Sequence, residues 1–191
     1  MSDSVSLEST RRRLTAKQAD TIQRLGTAAL AVLAREGFGG MTIRLVAAEA
    51  GIGAATAYTY FSSKEHLVAE VFWRRLASSK PPAPGDVDPV ERVIFVLRHI
   101  ALLVADEPEF AAAVTNALLG RDPDVQHLRD RIAREIHARL DEAVGANPDP
   151  ALVPTLELLY TGALVHAGMG YVTYTEIADR LERSARLLFS A

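Results

Sequence analysis

The sequence predicts an all-α protein of about nine helices in two parts. Three observations carry this. Apolar residues recur at helical spacing along most of the chain, as at Ile43, Val46, Ala47 and Ala50. Helix-start signals repeat down its second half, where Asp88-Pro89, Glu107-Pro108, Asp122-Pro123 and Asp149-Pro150 each place proline where a first helical turn accepts it. No segment shows sustained two-residue alternation or an Asn-Gly hairpin, so no sheet is expected.

Residues 1–14 are polar and aperiodic and read as a flexible basic tail carrying Arg11-Arg12-Arg13. That cluster could reach phosphates or a minor groove, or be a solvated arm. Thr15 and Gln18 suit a capping box. The first helix then runs to about Glu36 with Ile22, Leu25, Ala29, Val32 and Leu33 on its buried face, and Gly37, Gly39 and Gly40 end it. Thr42 caps the next helix. Gly51 follows Ala50, where a helix end favours a left-handed residue. Ala54 to Tyr60 form a short helix, and Ser62 or Ser63 caps one that runs from Lys64 to about Ser78. Trp73 on that helix reads as core or as packing at a domain junction.

Lys80 to Asp86, KPPAPGD, is the best candidate boundary. Beyond it, helices are expected from Pro89 to about Ala105, Pro108 to near Gly120, Pro123 to near Gly145, and Pro150 to about Gly170, with Pro154 able to shift that last start. Thr175 is expected to cap a final helix ending near Phe189.

Composition narrows the function. With 49% apolar residues over 191, a packed core is attainable. There is no cysteine, which excludes disulfides and thiolate metal sites and fits a reducing cytoplasm. No apolar run is long enough to span a membrane, so a membrane partner is not expected. The net charge of −3 is unevenly spread: residues 1–80 hold 11 Lys+Arg against 7 Asp+Glu, and residues 81–191 hold 10 against 17. A basic first part and an acidic remainder suit a chain that meets a polyanion with one end, although surface charge also fluctuates this much by chance. No nucleophile elbow or phosphate-binding glycine loop is present. Glu135, His137 and Asp141 do not form a zinc motif, so neither an enzyme nor a cofactor or metal is expected.

Helix, glycine turn, helix over Thr42 to Tyr60 is the layout of the DNA-binding helix-turn-helix. From about Ala16 to Leu67 the chain resembles the N-terminal domain of TetR-type transcriptional regulators. Glu36-Gly37-Phe38, Thr42-Ile43-Arg44, Ala47, Ala50-Gly51-Ile52, Tyr58, Phe61, Lys64 and Leu67 stand at that family's spacing. The resemblance implies a helix-turn-helix DNA-binding domain over 15–67 and a ligand-binding and dimerisation domain over 68–191.

By position it implies phosphate contacts from Thr42, Tyr58, Tyr60 and Lys64. Arg44 would reach a base edge or a phosphate, and Thr56 and Thr59 base edges or a thymine methyl. Tyr58 is expected to pack its ring and turn its hydroxyl outward. Ala54-Ala55, Ala57, Tyr60 and Leu45 depart from the family's usual residues. The reading helix is therefore poor in hydrogen-bonding groups, and more weight falls on phosphates, Arg44 and DNA shape.

In the second part the resemblance implies an effector pocket. Its candidate lining is Phe95, His99, Leu102, Phe110, Val114, Leu118, Tyr160 and Leu164, which could equally be simple core. His99 and His166 could orient a ligand or be ordinary half-buried histidines. The dimer seam is expected on the last two helices, from Gly162, Ala163, Ala167, Gly168, Gly170, Leu181, Leu187 and Leu188; a monomer's internal core is the other reading. The implied function is a homodimeric repressor of a two-fold operator on double-stranded DNA, released by a small hydrophobic effector. The second reading is a helical regulator or interaction module without ligand sensing or with weak sequence specificity.

Overall fold

The computed structural model describes residues 16–79, 87–146 and 148–190. The expected tail, the Thr15 cap and the Lys80–Asp86 loop lie outside them. The described residues form helices α1 (Ala16–Gly40), α2 (Ile43–Glu49), α3 (Ala54–Tyr60), α4 (Lys64–Ser78), α5 (Pro89–Leu102), α6 (Pro108–Leu119), α7 (Pro123–Val144), α8 (Leu152–Gly168) and α9 (Tyr174–Phe189), with no strand among them. None of these helices is long and apolar enough to cross a membrane.

Most boundaries follow the capping logic. Thr42 Oγ1 accepts from Leu45 N, Ser63 Oγ from His66 N, and Asp88 from Glu91 N. Gly37 breaks α1, at φ 64° and ψ 175°, so the regular helix stops where the sequence places its end, and one more turn leads to Gly40. Three expectations are corrected. α5 ends at Leu102, because residues 103–106 go over into turns in which Ala105 N donates to Leu102 O. α8 starts at Leu152 rather than Pro150, because the Asp149 carboxylate is spent on Ala151 N. α9 is capped by Thr173, not Thr175: Thr173 accepts from Glu176 N while Glu176 reaches back to Thr173 N, a complete capping box.

α1, α2 and α3 close around Leu25, Val32, Val46, Ala47 and Ala57, all buried. The α2–α3 turn is fixed from both sides. Gly51 takes φ 63°, Ile52 N bonds Ala47 O at 2.8 Å, and Arg24 reaches from α1 to Ala50 O at 2.7 Å. α4 is the shared element, packed against α1 on one side and against α6 and α7 on the other. Its Trp73 is buried under the Arg131 guanidinium of α7, 4.5 Å from the ring centroid, so it belongs to the α4–α7 contact. α5 lies along α9, and α8 closes over α6 and α7.

Two features bind this arrangement together. At the first, the caps of α4 and α7 are fused. Asp122 Oδ1 accepts from Asp124 N and Val125 N, while its Oδ2 takes the Ser63 hydroxyl proton at 2.5 Å. Ser62 donates to Asp124 at 2.5 Å. The Ser63 bond, helped by the α7 backbone, holds the Asp122 carboxyl below the usual aspartate range, against a smaller opposing effect of burial. At the second, α8 comes very close to α6: a Cβ on Gly168 would stand 2.5 Å from Thr115 Cγ2. The smallness of Gly168 therefore serves a contact inside the chain.

Asp122→Ala removes the cap acceptor of α7 and the acceptor of the Ser63 hydroxyl, and is expected to cost about 1–2 kcal/mol in urea unfolding at neutral pH. A depressed folded-state pKa contributes stability above the unfolded value of about 4 and loses it as pH falls through the lower folded value. The gap between wild type and variant should thus narrow below about pH 4. Gly168→Ala should cost about 1–3 kcal/mol by overpacking. Combining it with Thr115→Gly should cost less than the two separate losses added together, and strict additivity would refute the contact.

Candidate DNA-reading head and effector cavity

The outer face of α2 and α3 assembles the residues expected at DNA. Thr42, Arg44, Thr56, Tyr58 and Thr59 are all exposed on it. No described residue hydrogen-bonds or ion-pairs with Arg44, so its guanidinium fork is open to solvent. Thr42 accepts from Leu45 N and keeps its own proton for an outside acceptor. Thr59 spends its proton on Ala55 O at 3.1 Å and so presents a methyl and lone pairs. That suits a thymine methyl better than a phosphate.

The packing expected of Tyr58 is found at Tyr60. Tyr58 is 48% exposed, so its ring is not packed as expected. Tyr60 is half-buried and packs against the core instead. On the short α3, Ala57 occupies the fully buried position, so Tyr58 beside it turns outward. Lys64 is neither free nor fully exposed. Its ammonium donates to Phe38 O at 2.7 Å and sits 4.4 Å from the Phe38 ring centroid, tying the start of α4 to the end of α1. An ammonium has further donors, so a phosphate contact is compatible with this tie.

Behind the head, in the second part, lies a cavity of about 370 Å³. Val114, Leu118, Tyr160 and Leu164 line it, as the sequence reading expected. Phe95, His99, Leu102 and Phe110 do not. Phe110 is buried beneath Arg75, and Leu102 is 38% exposed at the end of α5. Phe95 stacks on His99 with ring centroids 6.3 Å apart. Burial disfavours protonation of His99, the nearby Arg139 adds to this, and the Ser79 backbone opposes it. The error is one of facing: α5 turns Ile100 to the cavity and the turn after it brings Val104 there, whereas the 95–99–102 stripe faces elsewhere. His166 does not line the cavity either; it is exposed, with its ring edge-on to Tyr171.

Sequence reasoning missed the cavity's polar members. Thr115 and the Tyr174 hydroxyl lie 3.1 Å apart, and both donate to or share Ala111 O. Burial raises the Tyr174 phenol pKa, and the Thr115 bond opposes this. Burial likewise raises that of Tyr160. Glu157 contacts His137 Nδ1 at 2.9 Å across the α7–α8 seam. Arg129 donates to Leu118 O, Gly120 O and Gln126 Oε1, so it clamps the turn that leads from α6 into Asp122. A threonine amid the apolar positions of α6 was the one visible signal; Arg129 and Glu157 look like ordinary surface charges in the sequence.

The expected dimer residues divide. Gly162 is exposed, and a Cβ there would meet nothing within 4 Å. Gly170 and Leu188 are also exposed, and Ala163 is half-buried. Ala167 and Leu181 are 7% and 1% exposed inside the chain's own core, which excludes them from an outer seam. An apolar helix with small residues does not reveal which side packs inward. Beside the expected Leu187 and Leu188, this region also exposes Leu158, Met169 and Tyr171.

Residues 26–71 match the family described as bacterial regulatory proteins, tetR family. An uncharacterized HTH-type transcriptional regulator of Mycobacterium tuberculosis is 49% identical over 167 residues, covering 86% of this chain and 78% of that one. The HTH-type transcriptional repressor KstR of Rhodococcus jostii is 25% identical over 178 residues, covering 90% and 84%. The crystal structure of the transcriptional regulator FadR from Bacillus subtilis in complex with stearoyl-CoA shares the fold, with a TM-score of 0.62 at 15% identity, covering 85% of this chain and 96% of that one. The helix-turn-helix geometry and these likenesses agree: the chain belongs to the TetR family of DNA-binding transcriptional regulators.

Proposed function

We propose that this regulator is a cytoplasmic homodimeric repressor that holds a two-fold operator and releases it when a small hydrophobic effector fills the cavity. The observation that carries the reading is a continuous mechanical link. Arg129 and Leu118 line the cavity and hold the α6–α7 turn, and that turn runs into Asp122 and Asp124. Those two carboxylates hold Ser62 and Ser63, directly after the reading helix and at the cap of α4. An occupant that displaces the turn shifts the population between DNA-fitting and non-fitting positions of the head. The KstR relative is named a repressor, and the FadR neighbour was solved with an acyl thioester. Both support the choice of repression and of an apolar effector.

On the head, Arg44 carries base recognition with Thr56 and Thr59, while Thr42, Tyr58, Tyr60 and Lys64 hold phosphates. Fragments of the source genome selected by the purified protein at moderate salt should share a two-fold symmetric site. Arg44→Ala should weaken that site about tenfold or more relative to random DNA. Lys64→Ala should weaken both alike. Recovery of unrelated fragments, lost uniformly with rising salt, would instead favour an interaction module.

The seam of the dimer is proposed on the outer stripe of α8 and the end of α9, around Leu158, Gly162, Met169 and Leu187. Leu158 is 76% and Leu187 71% exposed, and burial of each in a partner contributes about 1.5–3 kcal/mol. Leu158→Asp should leave the helical spectrum intact and convert a dimer into a monomer in sedimentation. A variant that remains dimeric would place the seam elsewhere.

A further inference from the structure

The cavity's walls are apolar, and Arg129 is the one cationic side chain in its lining. Thr115 and Tyr174 satisfy each other and Ala111 O, and Glu157 is engaged by His137. Two donors remain. The Tyr160 phenol is 4% exposed, lines the cavity, and no described residue hydrogen-bonds to it. The Arg129 guanidinium lines the cavity too. It bonds only neutral acceptors, namely Leu118 O at 2.7 Å, Gly120 O at 2.6 Å and Gln126 Oε1 at 2.6 Å. Among the described residues no carboxylate lies within ion-pair distance of it, although Arg24, Arg35, Arg74, Arg75, Arg98, Arg139, Arg186 and His137 make eleven pairings with carboxylates. A guanidinium has more donors than three bonds consume. A half-buried cation without a counterion, set beside an apolar cavity, lacks one part that a ligand can supply.

We infer that the effector is an amphiphile with an anionic head, of the carboxylate type, whose head binds Arg129 while its apolar body fills the cavity. The inference rests on the effector reading above and narrows it. Glu157 is the one acidic residue in the lining, and its Oε1 is held at 2.9 Å from His137 Nδ1. The head group's position carries a consequence. The same guanidinium holds the Leu118 and Gly120 carbonyls, so an anion seated on its free donors pulls directly on the clamp of the turn that leads to Asp122. A neutral apolar molecule of equal length fills the cavity without touching that clamp.

The test is calorimetric titration of the full chain at neutral pH with decanoate and with decanol, both kept below their aggregation limits. Decanoate is expected to bind about tenfold or more tightly than decanol, as one charge-assisted contact allows. The preference should shrink as pH falls below the ligand's own carboxyl pKa. Arg129→Met should erase the preference of decanoate over decanol. Arg129→Lys, which retains the charge without the fork, should keep part of it and serves if the methionine variant unfolds. Equal binding of acid and alcohol to the wild type overturns the anionic head but leaves an apolar effector standing. Binding of neither overturns the cavity reading as well.

Discussion

The bond between Ser63 and Asp122 is the contact on which the rest of the molecule turns. Each residue is already committed to a helix end, Ser63 to His66 N and Asp122 to Asp124 N and Val125 N. A cap works only in a narrow geometry, because its oxygen must meet backbone N–H groups that point along the helix axis. Joining two caps by a further bond of 2.5 Å therefore fixes the start of α4 relative to the start of α7. The reading helix ends at Tyr60, just before Ser62, so its position inherits that constraint. The carboxylate faces two helix N-termini at once, where partial positive charge favours it.

The far end of α4 is held differently. Arg75 bonds Leu103 O at 2.9 Å, pairs with Glu107 and lies over the Phe110 ring. Arg139 of α7 donates to Leu76 O at 2.6 Å and pairs with Glu135. Arg74 pairs with Glu70, whose carboxyl is pushed up by burial, while Arg74 and then Arg131 oppose that rise. Desolvation consumes much of what such buried charges gain. Their value lies in direction, since an arginine fork holds carbonyls and carboxylates at fixed angles where a leucine would slide. α4 thus has polar, directional ties at both ends and apolar packing between them. That combination favours motion as a lever over motion as a sliding rod.

How much of this was legible in the sequence follows from the physics of each signal. Caps and helix-breaking glycines act on their own neighbours, so α3 and the start of α4 were readable to the residue and Thr42, Asp88 and Asp122 declared themselves, while two adjacent serines left the cap of α4 open between Ser62 and Ser63. Where two local signals compete, the reading slips by a few residues, as at Thr173 against Thr175, or at Asp149, whose side chain stops at a turn. Facing is harder. α8 is apolar almost all round, so nothing in its pattern says that Ala167 faces inward and Leu158 outward. On α5 the sequence reading chose Phe95, His99 and Leu102, whereas Ile100 and, in the turn beyond the helix, Val104 face the cavity. Long-range polar contacts were invisible: Ser62 and Asp124 are far apart in sequence, and no periodicity links them.

The poverty of the reading helix fits the mechanics of the fused caps. Ala54, Ala55 and Ala57 leave α3 few groups that read a base edge, and Thr59 spends its proton within its own helix. In the proposed function most affinity then comes from phosphate contacts spread over two heads of a dimer. Such contacts carry little sequence information, but they demand correct spacing, because phosphates of a duplex stand at fixed positions. A head rich in base contacts would tolerate a small displacement by keeping some of them. A head that depends on simultaneous phosphate contacts loses several together when its partner head moves. Weak base reading therefore makes binding more responsive to the position of α4, and the Ser63–Asp122 joint sets that position. The feature that reads as a deficit for specificity is, on this argument, what lets a displacement of a few atoms at the α6–α7 turn decide whether DNA is held.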